Sequence, residues 1–459
     1  MTTTANTAQP AASEPRGSGT PPSLVPPLGP PTRMRQPAMA ARTLASHLRV
    51  IAARRPNVPL VEVRLRVPFA STAPLHPARA SLLCETLLCG TAQRGEAELA
   101  EALQSLGASL WVSGDADWLL IGGTVLRDRL ADLLELIAEV LAYAAYPARE
   151  VAGERDRLRE RLSIARSQPA VLAYEALRRR MFGDHPYARQ LPEPDAVSKV
   201  SAAQLRRLHA DRVVAAGSVL VLVGDLSPSG ALDSAEAALG GWRTRGNPRE
   251  TPPLPPITPG PTVLVPRPDS VQSSIRVGGA ALRRDDPAYP AFELANLVFA
   301  GYFSSRLVEN IREDKGYTYG ARSWIDHGVA GSTVVVDADV ATEVTAPALL
   351  EISYELGRIA SLPVSQSELD DARQYALGTL TRSTATQAGL ASTLSTLAGA
   401  GLDAEWLREH PARLARVTVE DVAEVAQRIL APSRLVTVVL GDTGVVEPSV
   451  SALGPVEHA

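Results

Sequence analysis

The sequence predicts an α+β fold of two homologous halves, each a mostly antiparallel sheet packed with helices. Amphipathic helix patterns alternate with short apolar strand patterns along most of the chain. A helix–strand–Gly-Asp unit also occurs twice, beginning at Val200 and at Val417. Gly224 and Gly441, which end the two strands, are 217 residues apart, as are the two valines. This constant offset indicates duplication of a unit of roughly 200 residues, with chance similarity of two such units as the alternative.

The elements of the first half can be placed in order. LVEVRLRVP predicts a strand, and residues 77–89 predict a helix with Pro77 in its first turn and Gly90 as its stop. SLWVSGDADWLLIGGTVL predicts two strands joined by a Gly-Asp turn. Residues 148–181 predict further, highly charged helix. Two helices around these strands each have one apolar face, formed by Leu99, Leu103 and Leu106 in one and by Leu126, Leu130, Leu133, Ile137 and Leu141 in the other.

The second half repeats this order. QSSIRVGGAAL predicts a strand, and two helices follow that end at Gly301 and Gly316. YTYGARSWI and GSTVVVDADV predict paired strands, followed by the helix APALLEISYELGRIA. Hydroxyl residues with a suitable side chain three positions later predict capped helix starts at Ser201, Ser365 and Thr418.

Two proline-rich segments divide the chain into parts. Residues 1–40 predict a disordered tail, because they cannot bury enough apolar surface to offset their ordering entropy. The first half then spans 41–244, a Pro-rich linker spans 245–262, and the second half spans 263–446. Residues 447–459 are predicted to form a C-terminal tail.

Composition excludes several classes of protein. A net charge of −4 and 4% aromatic residues argue against nucleic acid as a partner. No apolar run is long enough to predict a membrane span, and the N-terminus has no secretory pattern. Cys84 and Cys89 lie five positions apart on one predicted helix, which suits no disulfide. A cytoplasmic location is therefore expected.

Four segments carry a resemblance to a known family. They are LLCGT after the first helix, FGDHPYARQ, the strand VLVLVGDL and, most specifically, FSSRLVENIREDKGYTYGARS in the second half. Together with the duplicated plan, they resemble the pitrilysin/insulinase family of zinc peptidases, the inverzincins, from about residue 41 to 445. The resemblance implies two α+β halves that contribute to a clamshell around a peptide-sized chamber.

The resemblance also implies a zinc motif that this chain lacks. Active family members carry His-x-x-Glu-His on the first helix, where the two histidines bind zinc and the glutamate acts as base. Counting back from Gly90 places Ser81, Cys84 and Glu85 at the His, Glu and His positions. A later glutamate completes the family site, and the corresponding position here is Arg161, with Glu160 beside it.

These degenerate motif positions do not suit zinc, which requires about three N, S or O ligands from the protein. Ser81 is a poor ligand, Cys84 and Glu85 point about 100° apart on a helix, and Arg161 brings a positive charge. No metal is expected on this chain. A repacked helix is the favoured interpretation. A Cys84 nucleophile is the alternative, although His76 is the only nearby histidine.

The second-half motif retains an Arg and a Tyr seven positions apart, Arg312 and Tyr319. In active members, the resemblance implies, this pair reaches across the clamshell into the zinc site. A tyrosine hydroxyl can donate to an oxyanion, and a guanidinium can hold a carbonyl or a carboxylate. The structural alternatives are a helix-end ion pair for Arg312 and a half-buried strand position for Tyr319.

The combination resembles the non-catalytic subunit of the family's heterodimeric peptidases. We expect such a chain to be inactive alone and to pair with a zinc-bearing homologous subunit, to which it supplies Arg312 and Tyr319 for peptide hydrolysis. A precursor or leader peptide is the substrate that small pairs of this family suggest. The alternative functions are a non-enzymatic peptide-binding or scaffold subunit of a larger assembly, and a cysteine-dependent hydrolase.

Overall fold

Two six-stranded sheets, each flanked by helices, make up the computed structural model, which describes residues 37–242 and 251–459. The predicted fold class is confirmed. In the first half the strands are β1 (Met39–Thr43), β2 (Arg49–Arg54), β3 (Leu60–Pro68), β4 (Ser109–Gly114), β5 (Trp118–Leu126) and β6 (Val219–Gly224). The helices are α1 (His76–Thr86), α2 (Glu96–Ser105), α3 (Leu130–Tyr143), α4 (Ala148–Ala165), α5 (Pro169–Phe182), α6 (Pro194–Ser198), α7 (Ala202–Arg212) and α8 (Pro228–Leu239).

The second half has a corresponding set. Its strands are β7 (Thr262–Pro266), β8 (Gln272–Ala281), β9 (Ala321–His327), β10 (Ser332–Ala341), β11 (Val436–Gly441) and β12 (Val456–His458). Its helices are α9 (Tyr289–Asn296), α10 (Arg306–Val308), α11 (Thr345–Ser361), α12 (Gln366–Ser383), α13 (Gln387–Gly399), α14 (Ala404–Arg416), α15 (Val419–Ile429) and α16 (Thr443–Val450). The chain continues α9 and α10 as π-helical turns, Leu297–Gly301 and Glu309–Asp314.

Five strands follow the same order in both sheets, but the edge strand beside them differs: β1 precedes β2 in the chain and pairs antiparallel with it, whereas β12 follows β11 and pairs in parallel with β7. The first sheet runs β1-β2-β6-β3-β5-β4 and the second runs β12-β7-β11-β8-β10-β9. In each sheet one internal pair is parallel, β2 with β6 and β7 with β11, and the following neighbours are antiparallel. Gly224 and Gly441 end equivalent strands, and a Cβ on either would lie within 2.6 Å of the neighbouring strand. This close approach gives a physical reason for a glycine at both positions.

The two halves exchange a helix. α5 of the first half packs on the second sheet, and α13 of the second half packs on the first sheet. Strand residues alternate between the two faces, so Leu220 and Leu222 join the first-half core while Val219, Val221 and Val223 join the second-half core. Each sheet is consequently covered on one face by its own helices and on the other by its partner half's helix.

Short sequence patterns correctly predicted most of these helices and strands. The capping boxes at Ser201, Ser365 and Thr418 are present, and β4 and β5 form the predicted pair. The predicted charged helix over 148–181 is instead broken into α4 and α5. Pro169 causes the break, because the residue before a proline avoids the helical conformation and Gln168 is extended here.

Two of the predicted segment assignments change. Residues 447–459 are not a free tail, because they complete α16 and form β12, which pairs in parallel with β7. Met39 and Ala40 already belong to β1. Residues 1–36 of the predicted tail and 245–250 of the predicted linker lie outside the described residues, and the boundaries between the halves stay a prediction. No helix in the described ranges is long and apolar enough to cross a membrane.

Candidate functional site

Helix α1 carries the degenerate motif and lies against the edge strand β4. Pro77 occupies its first turn, but the helix ends at Thr86 with Leu87 as its C-cap, before the predicted stop at Gly90, which adopts a left-handed conformation with φ of 125°. The contact with β4 is tight, since a Cβ on Gly114 would lie 3.1 Å from Cys84 Sγ. The motif therefore faces a sheet edge whose backbone groups have no further strand beside them within the described residues.

Two of the motif positions contact each other. Arg161 of α4 forms an ion pair with Glu85 of α1, with 2.7 Å between Nη2 and Oε1. Glu160, its neighbour, is exposed on α4, and Ser81 and Cys84 line a cavity between α1 and β4. The structure thus brings a guanidinium to the second histidine position of the motif, where the family resemblance would place a metal ligand.

Cys84 is not prepared for nucleophilic chemistry. Burial, together with the nearby charges of Glu85 and Asp115, raises the pKa of its thiol to about 12. The thiol is therefore protonated at neutral pH, whereas a nucleophilic cysteine acts as the thiolate. This argues against the alternative of a cysteine-dependent hydrolase.

His76 cannot act as a base that activates Cys84. It is buried at the start of α1 beside Phe69, and burial, reinforced by Arg212, lowers its pKa to about 4. It lies eight positions before Cys84 on the helix, a rise of about 12 Å, so the two cannot form a dyad or share one ion. Among the residues with described positions, no group of three or more His, Cys, Asp or Glu side chains could hold a metal. The donors that are present do not fit zinc.

Arg312 lies in the π-helical turn that follows α10. Its guanidinium stacks on the exposed Phe303 ring at 4.5 Å, and its ionic contact is 3.5 Å to Glu313, the next residue. The expected alternative for Arg312, an ion pair three or four positions away, does not occur in the described part of the chain. π-helical turns are frequent at functional sites.

Tyr319 lies two residues before β9 and not within it, so the half-buried strand position is wrong. Its side chain is 97% exposed. The loop around it is ordered: the Thr318 hydroxyl accepts from Gly320 N–H at 3.1 Å and donates to the Asp339 carbonyl at 2.7 Å. Arg312 and Tyr319 are not among the residues that line the cavity beside α1. Neither faces its own chain's degenerate motif.

Sequence reasoning missed a polar network between the halves. Asp117, at the start of β5, accepts from the Tyr187 hydroxyl and the Thr251 hydroxyl, both at 2.6 Å, and from Val329 N–H at 3.0 Å. His185 is buried and contacts the Pro252 carbonyl at 2.8 Å. The one available signal was the position of these residues in turns and Pro-rich segments, which does not reveal their partners.

Known proteins with related sequences share this plan. A family model described as the peptidase M16 inactive domain matches residues 199–375. Over 419 residues the chain is 25% identical to an uncharacterized zinc protease of Mycobacterium tuberculosis, a match that covers 89% of this chain and 94% of that protein. Both findings relate the chain to zinc peptidases, and the match within residues 199–375 is to the M16 family. The resemblance of its motifs to pitrilysin/insulinase peptidases is thereby confirmed.

Solved structures reproduce the fold of this chain. The crystal structure of a peptidase M16 inactive domain from Pseudomonas fluorescens has a TM-score of 0.78 and 24% identity, covering 88% of this chain and 98% of that one. The periplasmic protease PqqL from Escherichia coli has a TM-score of 0.74 and 16% identity, covering 91% of this chain but 49% of that one. This chain thus corresponds in fold to about half of the longer protease.

The segment that matches the M16 family model includes Arg312 and Tyr319 and excludes α1 and α4. The model's description as an inactive domain agrees with a motif from which both histidines are absent. The retained pair therefore lies inside the segment that matches the family model, and the degenerate motif lies outside it.

Proposed function

We propose that this chain is the zinc-less subunit of a two-chain M16 metallopeptidase, in which it lines one side of the peptide chamber and supplies Arg312 and Tyr319 to its partner's zinc site. The observation that carries the proposal is the 97% exposure of the Tyr319 side chain on an ordered loop. A tyrosine with so little contact in its own chain contributes little to stability. The exposed position of the Tyr319 side chain is best explained by contact with a second molecule.

The degenerate motif supports the same proposal. Glu85 and Arg161 form an ion pair with each other, and the side chains around them do not suit zinc as ligands. Residues that assist a metal site would have no use in this chain alone. The fold of this chain corresponds to about half of the E. coli protease PqqL, so a homologous partner would supply the equivalent of the missing half.

The chemistry of the pair suits peptide hydrolysis. The partner's zinc would supply the activated water. The Tyr319 hydroxyl would donate a hydrogen bond to the oxygen of the scissile carbonyl as negative charge develops there. The Arg312 guanidinium, steadied by the Phe303 ring, would hold a second carbonyl or a carboxylate of the same peptide.

Substrate and location follow from weaker observations. A peptide is the substrate class, with a precursor or leader peptide as the proposed source, and the exposed edge of β4 would bind it by strand addition. A cytoplasmic site of action is proposed because Cys84 and Cys89 are both free thiols.

The test is a reconstitution with the zinc-bearing homologue encoded nearest to this chain. The isolated chain should not cleave a peptide library, and activity should appear or rise on mixing. In the mixture, Tyr319→Phe should lower kcat by about 100-fold with little change in KM, because one donor to the oxyanion is lost.

Tyr354→Phe is the matched control, since Tyr354 is an exposed tyrosine on α11 of the same half, and it should leave kcat unchanged. Size-exclusion chromatography should show that both variants still bind the partner. A complex that forms and cleaves peptide equally well with Tyr319→Phe would refute the shared site, and a complex without peptidase activity would favour a scaffold subunit.

A further inference from the structure

A cavity of about 260 Å³ between the two halves contains three arginines, Arg66, Arg178 and Arg284. Each lies over an aromatic ring: Arg66 over Trp118 at 5.9 Å, Arg178 over Tyr174 at 4.5 Å and Arg284 over Trp406 at 5.7 Å. When a guanidinium lies with its plane over an aromatic ring, the N–H groups at the edge of the guanidinium stay available for hydrogen bonds. All three side chains are thus fixed in a way that presents donors.

The carboxylates in the same cavity are occupied by neutral donors. Asp117 accepts from two hydroxyl groups and a backbone N–H, as described above. Asp115 accepts from the N–H groups of Asp117 and Trp118 at 2.8 and 2.7 Å. Asp326 accepts from the Tyr174 hydroxyl. The oxygen atoms of these three carboxylates are therefore bonded mostly to groups other than the arginines.

The arginine donors are correspondingly underused. Arg66 donates to two hydroxyls, Ser395 Oγ at 2.8 Å and Thr396 Oγ1 at 3.1 Å. Arg178 donates to the Tyr174 hydroxyl and is 3.7 Å from Asp326. Arg284 makes no side-chain hydrogen bond or ion pair with any residue in 37–242 or 251–459, and the Nε atoms of Arg178 and Arg284 are buried without a partner there. The two Nε atoms are closed off from the cavity, whereas the Nη groups of Arg284 have no partner in those ranges and stay open to a ligand that enters the cavity.

We propose that this cavity binds a carboxylate group of a peptide, either an acidic side chain or the C-terminus, through Arg284 with Arg66 and Arg178. The peptide class rests on the proposed function. A planar carboxylate matches the guanidinium edge in a two-bond arrangement. The three aspartates balance the three arginines, so a monoanion suits the cavity better than a phosphate dianion.

The cavity is well placed for a chamber peptide. It shares Asp115, Ala116 and Gln190 with the cavity beside α1, so the two form adjoining parts of one surface. A peptide that follows the edge of β4 past α1 would bring one of its groups to the arginines. The cavity would then select for an acidic group at a fixed distance from the strand-bound segment.

Isothermal titration calorimetry of the isolated chain with three short Gly/Ser-rich peptides tests the proposal. The first has one glutamate and blocked ends, the second has glutamine and a free C-terminus, and the third has glutamine and blocked ends. At least one charged peptide should bind about tenfold more tightly than the neutral one, and the first two distinguish a side-chain from a terminal carboxylate. Equal binding of all three, or no binding of any at millimolar concentration, would overturn the proposal.

Variants locate the site. Arg284→Gln should weaken the charged peptide about tenfold and leave the neutral one unchanged. Arg382→Gln is the matched control, since it removes the same charge from an exposed position of α12, and it should have no effect. Arg66→Lys, which keeps the charge but loses the planar edge, is a second variant should Arg284→Gln unfold. No effect of any folded cavity variant would contradict the assignment, and because no partner is present, this failure differs from failure of the shared zinc site.

Discussion

The contact between Glu85 and Arg161 shows how a metal site can be replaced at the scale of single residues. Both side chains are partly exposed, at 37% and 50%, so their ion pair contributes only about 0–1 kcal/mol to stability. Its greater consequence is electrostatic. A permanent guanidinium beside α1 opposes any cation there, whatever the protonation of the surrounding groups.

Restoring the ligands should restore metal binding. A chain with Ser81→His, Cys84→Glu, Glu85→His and Arg161→Glu should bind about one zinc ion, because two histidines four apart and a carboxylate as the third ligand then surround one position. The same chain with Arg161 retained should bind zinc at least about tenfold more weakly. Equilibrium dialysis followed by elemental analysis measures both affinities.

The comparison also tests which α4 residue faces the motif. Tight zinc binding with Arg161 retained would mean that Glu160 supplies the third ligand, and the assignment of position 161 would then be wrong. The unmodified chain is the control and should bind no zinc at this site.

At residue scale, the loss of the zinc ligands could be predicted because the sequence has no histidine at either motif position. Sequence reasoning could not foresee that Glu85 and Arg161 would contact each other, which depends on how α4 crosses α1. It also placed Tyr319 in a strand, whereas the Thr318 hydroxyl bonds close a loop before β9 begins. The catalytic roles of Arg312 and Tyr319 stay a prediction.

At the scale of elements, the ion pair between Arg306 and Glu368 connects the Arg312-bearing segment to α12. Arg306 at the start of α10 donates two hydrogen bonds to Glu368 of α12, at 2.6 and 2.9 Å. Glu368 also accepts from Ser365 N–H at 2.7 Å and so completes the capping box of α12. The Arg306 side chain is 7% exposed, so its charge depends on this partner.

Stability should depend on pH through this pair. The Arg306 guanidinium lowers the pKa of Glu368 to about 2, from its ordinary value of 4.5. A lowered folded-state pKa stabilises the fold above about pH 4.5, and that contribution is lost as the pH falls toward 2. Glu368→Gln should reduce the free energy of unfolding by about 2 kcal/mol at pH 7, and the difference from the unmodified chain should shrink below pH 4.

Urea unfolding at a series of pH values measures this difference. Glu160→Gln is the control, because that exposed carboxylate should change stability little at any pH. A constant loss for Glu368→Gln between pH 7 and 3 would mean that the amide disturbs packing and that the ion pair is not the cause.

Elements with local signals were predictable, and their partners were not. A capping box can be recognised from four consecutive residues, so Ser201, Ser365 and Thr418 could be identified from the sequence as helix N-caps. The apolar face of α5 is equally visible, but nothing local shows that it packs on the second sheet, since either sheet offers a similar apolar face. The break before Pro169, which frees α5 to cross, is a local signal that the charged pattern obscured.

At the scale of the whole molecule, the helix exchange makes each half incomplete without the other. α5 covers β8 and β11, and α13 covers β3 and β6. The fit is close where the halves meet: a Cβ on Gly278 of β8 would lie 2.8 Å from Met181 Sδ and 3.2 Å from a Leu177 methyl group of α5. Apolar burial of this kind is the main favourable term in association, so the halves should hold together without a covalent connection.

A cut between the halves therefore should not separate them. With a protease recognition sequence in place of residues 245–250, the cleaved chain should elute as one species and unfold in one transition. Gly278→Val should weaken this association by about 2 kcal/mol, because the added methyl groups meet α5. Size-exclusion chromatography in increasing urea would show the cleaved Gly278→Val chain dissociating first. If the two fragments of the cleaved unmodified chain separated in native buffer, the exchanged helices would contribute little, and the halves would be independent domains joined mainly by their linker.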